Sequence, residues 1–223
     1  FIAGGEFYMA YVLVACEESQ AVTIAFRRVG VPAFSCDIKP CSGGHPEWHI
    51  IADARSLFSY PCSFVTQSGE LHVVPSWDLL IAHPPCTYLT KAGSTSLFPN
   101  RVRDEERYLK GLQAREFFMY FYNAPVARKC IENPAPMKVF ELPPYSQIVQ
   151  PFYFGDPYYK TTCLWLVGLP ILMFWGACVP EYHWVSGSYV PGDKKVGEST
   201  PEGRSKTSPA LASAMAVQWV RYL

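Results

Sequence analysis

Apolar runs, interrupted by polar and turn-forming residues, lay out most of the chain before any chemistry is considered. Ala10 to Cys16 is an unbroken run rich in β-formers and predicts a buried strand. Glu17-Glu18-Ser19-Gln20 breaks it. Ala21 to Val29 then carries Val22, Ile24, Ala25, Phe26 and Val29 near helical spacing, with Gly30 as terminator and the acidic residues at the favourable end of the helix dipole. Val31 to Cys36 predicts a second strand, closed by Asp37. His49 to Ala52 predicts a third, ending in Asp53, and Ala54 to Tyr60 a helical stretch. Ser63 to Pro75 reads as short strands about the turn Gln67-Ser68-Gly69-Glu70. Trp77 to Cys86 predicts a central strand. Pro84-Pro85 stops it abruptly, because two prolines remove two backbone donors.

Lys91 to Asn100 is polar and contains glycine, and predicts a mobile segment. Asp104 to Ala127 carries a long helical pattern, and Cys130 to Pro134 a further short strand. Met137 to Gln150 is proline-rich, with Phe140, Leu142 and Tyr145 to pin it to the body. A turn over Phe152 to Pro157 precedes a strand over Thr161 to Val167. Tyr182 to Thr207, rich in Gly, Ser, Pro and charge, predicts a flexible loop. Ser208-Pro209 is an N-cap and first-turn proline opening a helix to about Trp219. Strand, helix, strand and carboxylate in that order open a Rossmann-like α/β fold. We expect a mixed, mostly parallel sheet of about six or seven strands with helices on both faces.

Composition narrows the function without deciding it. The 223 residues, 49% hydrophobic and 17% charged, suit one globular domain. Nineteen basic residues cancel nineteen acidic ones, which argues against bulk electrostatic capture of nucleic acid but leaves room for a local basic groove. Eight scattered cysteines read as free thiols. The most apolar stretch, Leu164 to Trp175, is too short for a membrane span and is broken by Gly168 and Pro170. Residues 1–8 read as an expression-tag remnant, with Met9 as the native start and residues 9–223 as a single domain.

Four strand ends carry polar residues: Glu17-Glu18, Asp37, His83-Pro84-Pro85-Cys86 and Glu132-Asn133-Pro134. In a doubly wound sheet these ends converge on one crevice. An acidic residue such as Asp37 suits a ribose diol. A thiolate can add to an electron-poor ring while a nearby carboxyl serves the ring nitrogen that gains charge, which suits Cys86 with Glu132.

This order of motifs resembles the DNA cytosine-5 methyltransferases, in particular the short versions of phages and prophages. Pro84-Pro85-Cys86 resembles the family's Pro-Cys nucleophile motif and Glu132-Asn133-Pro134 its Glu-Asn-Val motif. Tyr153 to Lys160 resembles the later segment that brings a basic residue to the cytosine, with Lys160 in place of an arginine. The final helix resembles the last family motif. The resemblance implies a flipped cytosine attacked at C6 by Cys86, Glu132 on N3 and the exocyclic amine, and S-adenosylmethionine as methyl donor to C5. It also implies Glu17, Glu18, Ser19 and Gln20 at the amino-acid end of the cofactor, with His83 and Pro84 beside it. Asp37 and Ile38 would meet the ribose and adenine, and Asp53 the adenine amine. A bacterial or phage-infected cytoplasm is the implied setting.

The chain departs from that pattern in three places. The first loop lacks the family's glycines, Thr162 stands where a second arginine is expected, and little chain between Val167 and Ser208 remains for target recognition. Lys91, Arg101, Arg103, Lys194, Lys195, Arg204 and Lys206 are candidate phosphate contacts on the loops that remain, and a separate specificity partner is an alternative. A Cys36, Cys41, His45, His49 run has donors for zinc, but its spacing is much shorter than a finger's and no metal is assigned. Other classes stay open: a catalytically altered methyltransferase-like protein that binds a cofactor, a nucleotide or a host factor; a methyltransferase acting on RNA or a free nucleotide; and, from the His83-Pro84-Pro85 segment, amine methylation.

Overall fold

The structure, a computed structural model, describes residues 9–176, 182–183 and 206–223. Val12–Ala15 (β1) is buried at every position, which requires cover on both faces of the sheet. It pairs in parallel with Ala33–Asp37 (β2) on one side and with Leu79–Ala82 (β6) on the other. His49–Ile51 (β3) extends the sheet beyond β2, and Arg128–Asn133 (β7) extends it beyond β6, both in parallel. Thr162–Val167 (β10) lies antiparallel to β7, and Gln147–Val149 (β8) closes the far edge antiparallel to β10. The result is a seven-stranded sheet in the order β3-β2-β1-β6-β7-β10-β8. One reversed strand in an otherwise parallel sheet, next to its edge, makes this the Rossmann-like class I methyltransferase fold.

Alternation along the strands divides two cores. Val12, Val14, Leu79 and Ile81 face Ala21–Arg28 (α1) and Pro209–Trp219 (α4); Leu13, Ala15, Leu80 and Ala82 face Glu105–Tyr122 (α3) and the first hairpin. That hairpin is Cys62–Val65 (β4) with Leu71–Val74 (β5), turning at Gly69. Ser208 caps α4, its Oγ accepting from Leu211 N at 3.2 Å. The Asp156 carboxylate takes the Ser208 hydroxyl and the Ala210 N–H as well, tying the turn over Phe152 to Pro157 to the start of that helix. Tyr158–Tyr159 (β9) pairs in parallel with Tyr182–His183 (β11). The rest of the predicted flexible loop, 184–205, lies outside the described residues.

Two expectations change. The central strand occupies only Leu79–Ala82 of the predicted Trp77 to Cys86. At one end the Asp78 carboxylate accepts the Tyr11 N–H and the Trp77 indole donates to Leu57 O; at the other come the prolines. The segment over Lys91 to Asn100 is not featureless: it winds through a short helix, Ser94–Leu97 (α2), because Leu97 is fully buried in the core. Gly111, inside α3, shows why Phe140 can pin the proline-rich segment. A Cβ at Gly111 would stand 2.1 Å from the Phe140 ring.

Candidate active site at the strand ends

The loop after β1 turns without a glycine of its own. Cys16 and Gln20 adopt φ of 60° and 61°, a left-handed conformation that costs a side-chain-bearing residue roughly 1–2 kcal/mol. Buried polar side chains hold it there. Glu17 accepts from Val22 N at 2.6 Å, Thr23 N at 3.2 Å and Thr23 Oγ1 at 2.7 Å, so it caps α1. Burial pushes this carboxyl up, opposed by His83 and by those bonds. Gln20 Oε1 accepts from His45 N at 3.0 Å, while its Nε2 donates to His45 O at 2.9 Å and to Ser35 Oγ at 3.2 Å. Gly43 supplies the close approach that the loop lacks internally: a Cβ there would lie 2.6 Å from both Ser19 O and Gln20 Cβ.

Gln20 is therefore a strut, fully buried and away from the cleft, rather than a cofactor contact. Glu17 lines the cleft, but both its oxygens are engaged by α1. Glu18 and Ser19 also line it. Beside them, Asp37 Oδ1 accepts from Lys39 N at 3.0 Å, and Ile38 is 75% exposed, an unusual degree for a large apolar side chain in a recess. Asp53 completes this corner. Hydrogen bonds from Arg55 hold its carboxyl below the usual range, so it already has a cationic partner.

The loop after β6 is built differently. His83 N donates to Ala15 O at 2.9 Å, and Leu89 N and Thr90 N both donate to Cys86 O, folding the loop tightly after the cysteine. Pro84, expected beside the cofactor, is turned inward; its carbonyl accepts Asn133 Nδ2 at 2.9 Å, and Pro85 lines the cleft in its place. That bond ties the end of β6 to the end of β7, where Glu132 sits. Glu132 Oε2 and His83 Nδ1 lie 2.9 Å apart. Burial pushes the Glu132 carboxyl up, but the His83 hydrogen bond and charge, with Lys160, outweigh it and leave it below the usual carboxylate range. Burial and the Glu132 charge push the Cys86 thiol up, and Lys160 opposes them. Burial lowers the Lys160 ammonium, which Glu132 and Cys86 partly restore; its Nζ donates to Lys206 O at 2.6 Å.

One cleft of about 1070 Å³ joins the corner at Glu18, Asp37 and Asp53 to Cys86 and Lys160, then runs on past Thr87 and Lys91 to Arg107. Glu132 stands behind its wall, reaching the cleft through His83. Arg107 has no sequence signal, since it lies in the first turns of α3 on a surface-like pattern. The fold aims it inward, with Nη2 donating to Thr87 O at 3.3 Å and the guanidinium 5.0 Å from the Tyr88 ring centroid. Of the candidate phosphate contacts, Lys91 and Lys206 line the cleft. Arg101 and Arg103 do not, and Arg103 pairs with Glu105. Lys194, Lys195 and Arg204 lie outside the described residues.

The Cys36 to His49 run does not gather. His49 bonds Ser35 Oγ and Lys39 O, His45 bonds Glu47, and Cys36 donates to Ala52 O. Among the described residues no group of three or more His, Cys, Asp or Glu side chains is placed to hold a metal, and all seven cysteines are unpaired.

No family model and no curated protein matches the sequence. Two solved structures resemble it in part. A candidate DNA modification methyltransferase encoded within an E. coli prophage is 12% identical over 70% of this chain, with a TM-score of 0.39. The S. pombe Dnmt2 methyltransferase is 16% identical over 71% of it, with a TM-score of 0.35. The matches cover 46% and 49% of those chains, so this chain spans about half the length of each. The strand order, not these overlays, assigns the fold. No helix among the described residues is long and apolar enough to cross a membrane.

Proposed function

We propose that the protein methylates cytosine C5 in DNA, with Cys86 as nucleophile and S-adenosylmethionine as methyl donor. The observation that carries this reading is the convergence of Cys86, Lys160 and the His83–Glu132 pair on the cleft that also opens to the ends of β1, β2 and β3. A buried thiol with a carboxyl and a cation close by suits addition to a pyrimidine ring better than it suits a structural core.

The corner fits a nucleoside with a charged tail. Asp37, which lines the cleft, would meet the ribose, Ile38 would offer an apolar face to the base, and Glu18 and Ser19 border the far end. His83 Nε2 is buried with no hydrogen-bond partner among the described residues, and His83 lines the cleft, so a polar ligand atom would satisfy it. When bound, S-adenosylmethionine supplies an electrophilic methyl group for C5.

The chain's own groups and solvent do the rest. Cys86 passes its proton to solvent and adds to C6 as thiolate, which activates C5 and places charge on N3. Glu132 serves N3 and the exocyclic amine through His83, which lines the cleft, and Lys160 favours the thiolate. Once C5 carries the methyl group, a water molecule takes the C5 proton, the C–H electron pair closes the C5–C6 double bond, and Cys86 leaves as thiolate. Lys91 and Arg107 extend the cleft with positive charge toward the backbone of a flipped nucleotide.

The test has two arms on the full chain. Calorimetric titration with S-adenosylmethionine should give binding that Asp37→Ala abolishes. A random-sequence duplex containing 5-fluorocytosine, incubated with the cofactor, should yield an adduct stable on a denaturing gel, absent in Cys86→Ala. Cofactor binding without an adduct would sink the C5 chemistry and leave amine methylation or simple binding; an adduct only on single-stranded RNA would change the substrate.

A further inference from the structure

The cleft sorts its charges by end. Its carboxylates, Glu17, Glu18, Asp37 and Asp53, all stand at or just after the ends of β1, β2 and β3. Beyond Cys86 the described wall carries Lys91 and Arg107 and no carboxylate. Around the start of α3, Arg103 pairs with Glu105 and Lys110 with Glu106. Arg107 takes part in no ion pair among the described residues.

Arg107 is nevertheless held in place. Its Nη2 donates to Thr87 O at 3.3 Å, and its guanidinium lies 5.0 Å from the Tyr88 ring centroid. Gly93 leaves the room for this: a Cβ there would stand 3.1 Å from Nη2 and 3.2 Å from Thr87 O. Arg107 Nε is buried with no hydrogen-bond partner among the described residues. A guanidinium stays charged throughout the pH range of a folded protein, so this donor calls for an acceptor, and an anionic oxygen is the strongest one. Thr87 O is the carbonyl that follows the nucleophile. The carbonyl of Cys86 itself already takes Leu89 N at 3.0 Å and Thr90 N at 3.2 Å. The loop thus holds Cys86 from within, and Arg107 holds the next peptide from α3.

We propose that Arg107 is a positioning residue for Cys86: it takes a phosphate flanking the target nucleotide and, through Thr87 O, sets the nucleophile's loop against that phosphate. This rests on the C5 reading and deepens it. A phosphate contact alone supplies affinity, as any basic residue on the cleft would. Arg107 adds register. Its fork keeps one nitrogen on Thr87 O and offers the others to phosphate oxygens, so the nucleophile's loop and the phosphate are both set by one rigid plane. Lys91 brings a second charge to the same arm from a different segment, its N–H donating to Ala135 O after β7.

The test uses the full chain and the 5-fluorocytosine duplex with S-adenosylmethionine. In single turnover, Arg107→Ala should lower the adduct rate at saturating duplex by about tenfold or more, because small misplacements of a reacting group are costly. Arg107→Lys keeps the charge but loses the fork, and should recover duplex affinity without recovering that rate. A neutral methylphosphonate is then placed on the 5′ or the 3′ side of the target nucleotide. At one of the two positions it should slow the unmodified protein about as much as Arg107→Ala does, and should not slow that variant further. Arg107→Lys completes the same cycle if the alanine variant does not fold.

Equal slowing by each methylphosphonate in both proteins would overturn the proposal, since Arg107 would then read no flanking phosphate. So would a variant whose half-saturation moves while its saturated rate does not, because Arg107 would then grip the substrate without placing Cys86. Trapping of 5-fluorodeoxycytidine 5′-phosphate as fast as the duplex, with the same dependence on Arg107, would keep the phosphate subsite and assign it to a free nucleotide. If the unmodified chain gives no adduct, the C5 reading fails and the positioning of Cys86 with it. Fluorescence anisotropy with the same duplexes then still tells whether Arg107 and a flanking phosphate are coupled in binding.

Discussion

The loops after β1 and β6 leave neighbouring parallel strands at the same edge of the sheet, yet they use their polar residues in opposite ways. After β1, Glu17 and Gln20 turn back into the protein. One caps α1, the other clamps the segment at His45, and together they hold two non-glycine residues in the left-handed region. After β6, the backbone does the holding, through Ala15 O, Cys86 O and Pro84 O. The side chains of His83 and Cys86 are left to border the cleft. A polar residue at a strand end is thus only a candidate for chemistry. Counting its hydrogen-bond partners separates the struts from the groups with something left to offer.

The sharpest way to break the comparison is to remove the strut that most resembles a ligand contact. Glu17→Ala orphans two buried N–H groups and a hydroxyl, and should cost about 3 kcal/mol in denaturant unfolding, the scale of hydrogen bonds to a charged group. Glu17→Gln keeps an acceptor and should cost about half of that. If stability is unchanged while S-adenosylmethionine binding is lost, Glu17 belongs with the cleft and the contrast between the loops collapses.

A smaller effect is expected at Gly43. Gly43→Ala would drive a methyl group into Ser19 O and Gln20 Cβ, and should destabilise by about 2 kcal/mol, as overpacking does. Because Ser19 borders the cleft, cofactor affinity should fall as well, while trapping at Cys86 under saturating cofactor persists. Equal loss of both would mean that the two loops move as one.

The smallest effect sharpens the other side. Burial and Glu132 raise the Cys86 thiol above its ordinary value, so its alkylation by iodoacetamide should keep rising with pH beyond the usual thiol range, since only the thiolate reacts. The Lys160 cation lowers that thiol. Lys160→Met removes the cation, raises the thiol further and slows alkylation at any fixed pH below it, by up to about tenfold for one pKa unit. Faster alkylation in Lys160→Met would show that Lys160 shields the thiol rather than supporting its ionised form.

How much of this was legible in the sequence follows from the range over which each feature is set. Hydrophobic runs and turn residues are local, and they placed β1, α1, β2, β7, β10 and the Ser208-capped α4 close to where the structure has them. Strand-end placement singled out Cys86 and Glu132 as candidates, because the parallel α/β layout forces strand ends to one edge of the sheet, and the family resemblance alone pointed to Lys160. Local signals could not foresee partners distant in sequence. Gly111 looks like a helix flaw until Phe140 lies on it, and Leu97 turns a polar stretch into a helix only because the core has room for it.

The same limit applies to the chemistry. By itself the sequence determined which reactive side chains sit at strand ends. Only the tertiary structure decided that Gln20 faces inward, that Pro85 replaces Pro84 at the cleft, that Arg107 joins it, and that His83 meets Glu132 across two strands. The physical reason is that burial pattern is written residue by residue along the chain. A hydrogen-bond partner is chosen among whatever groups the finished packing brings within about 3 Å.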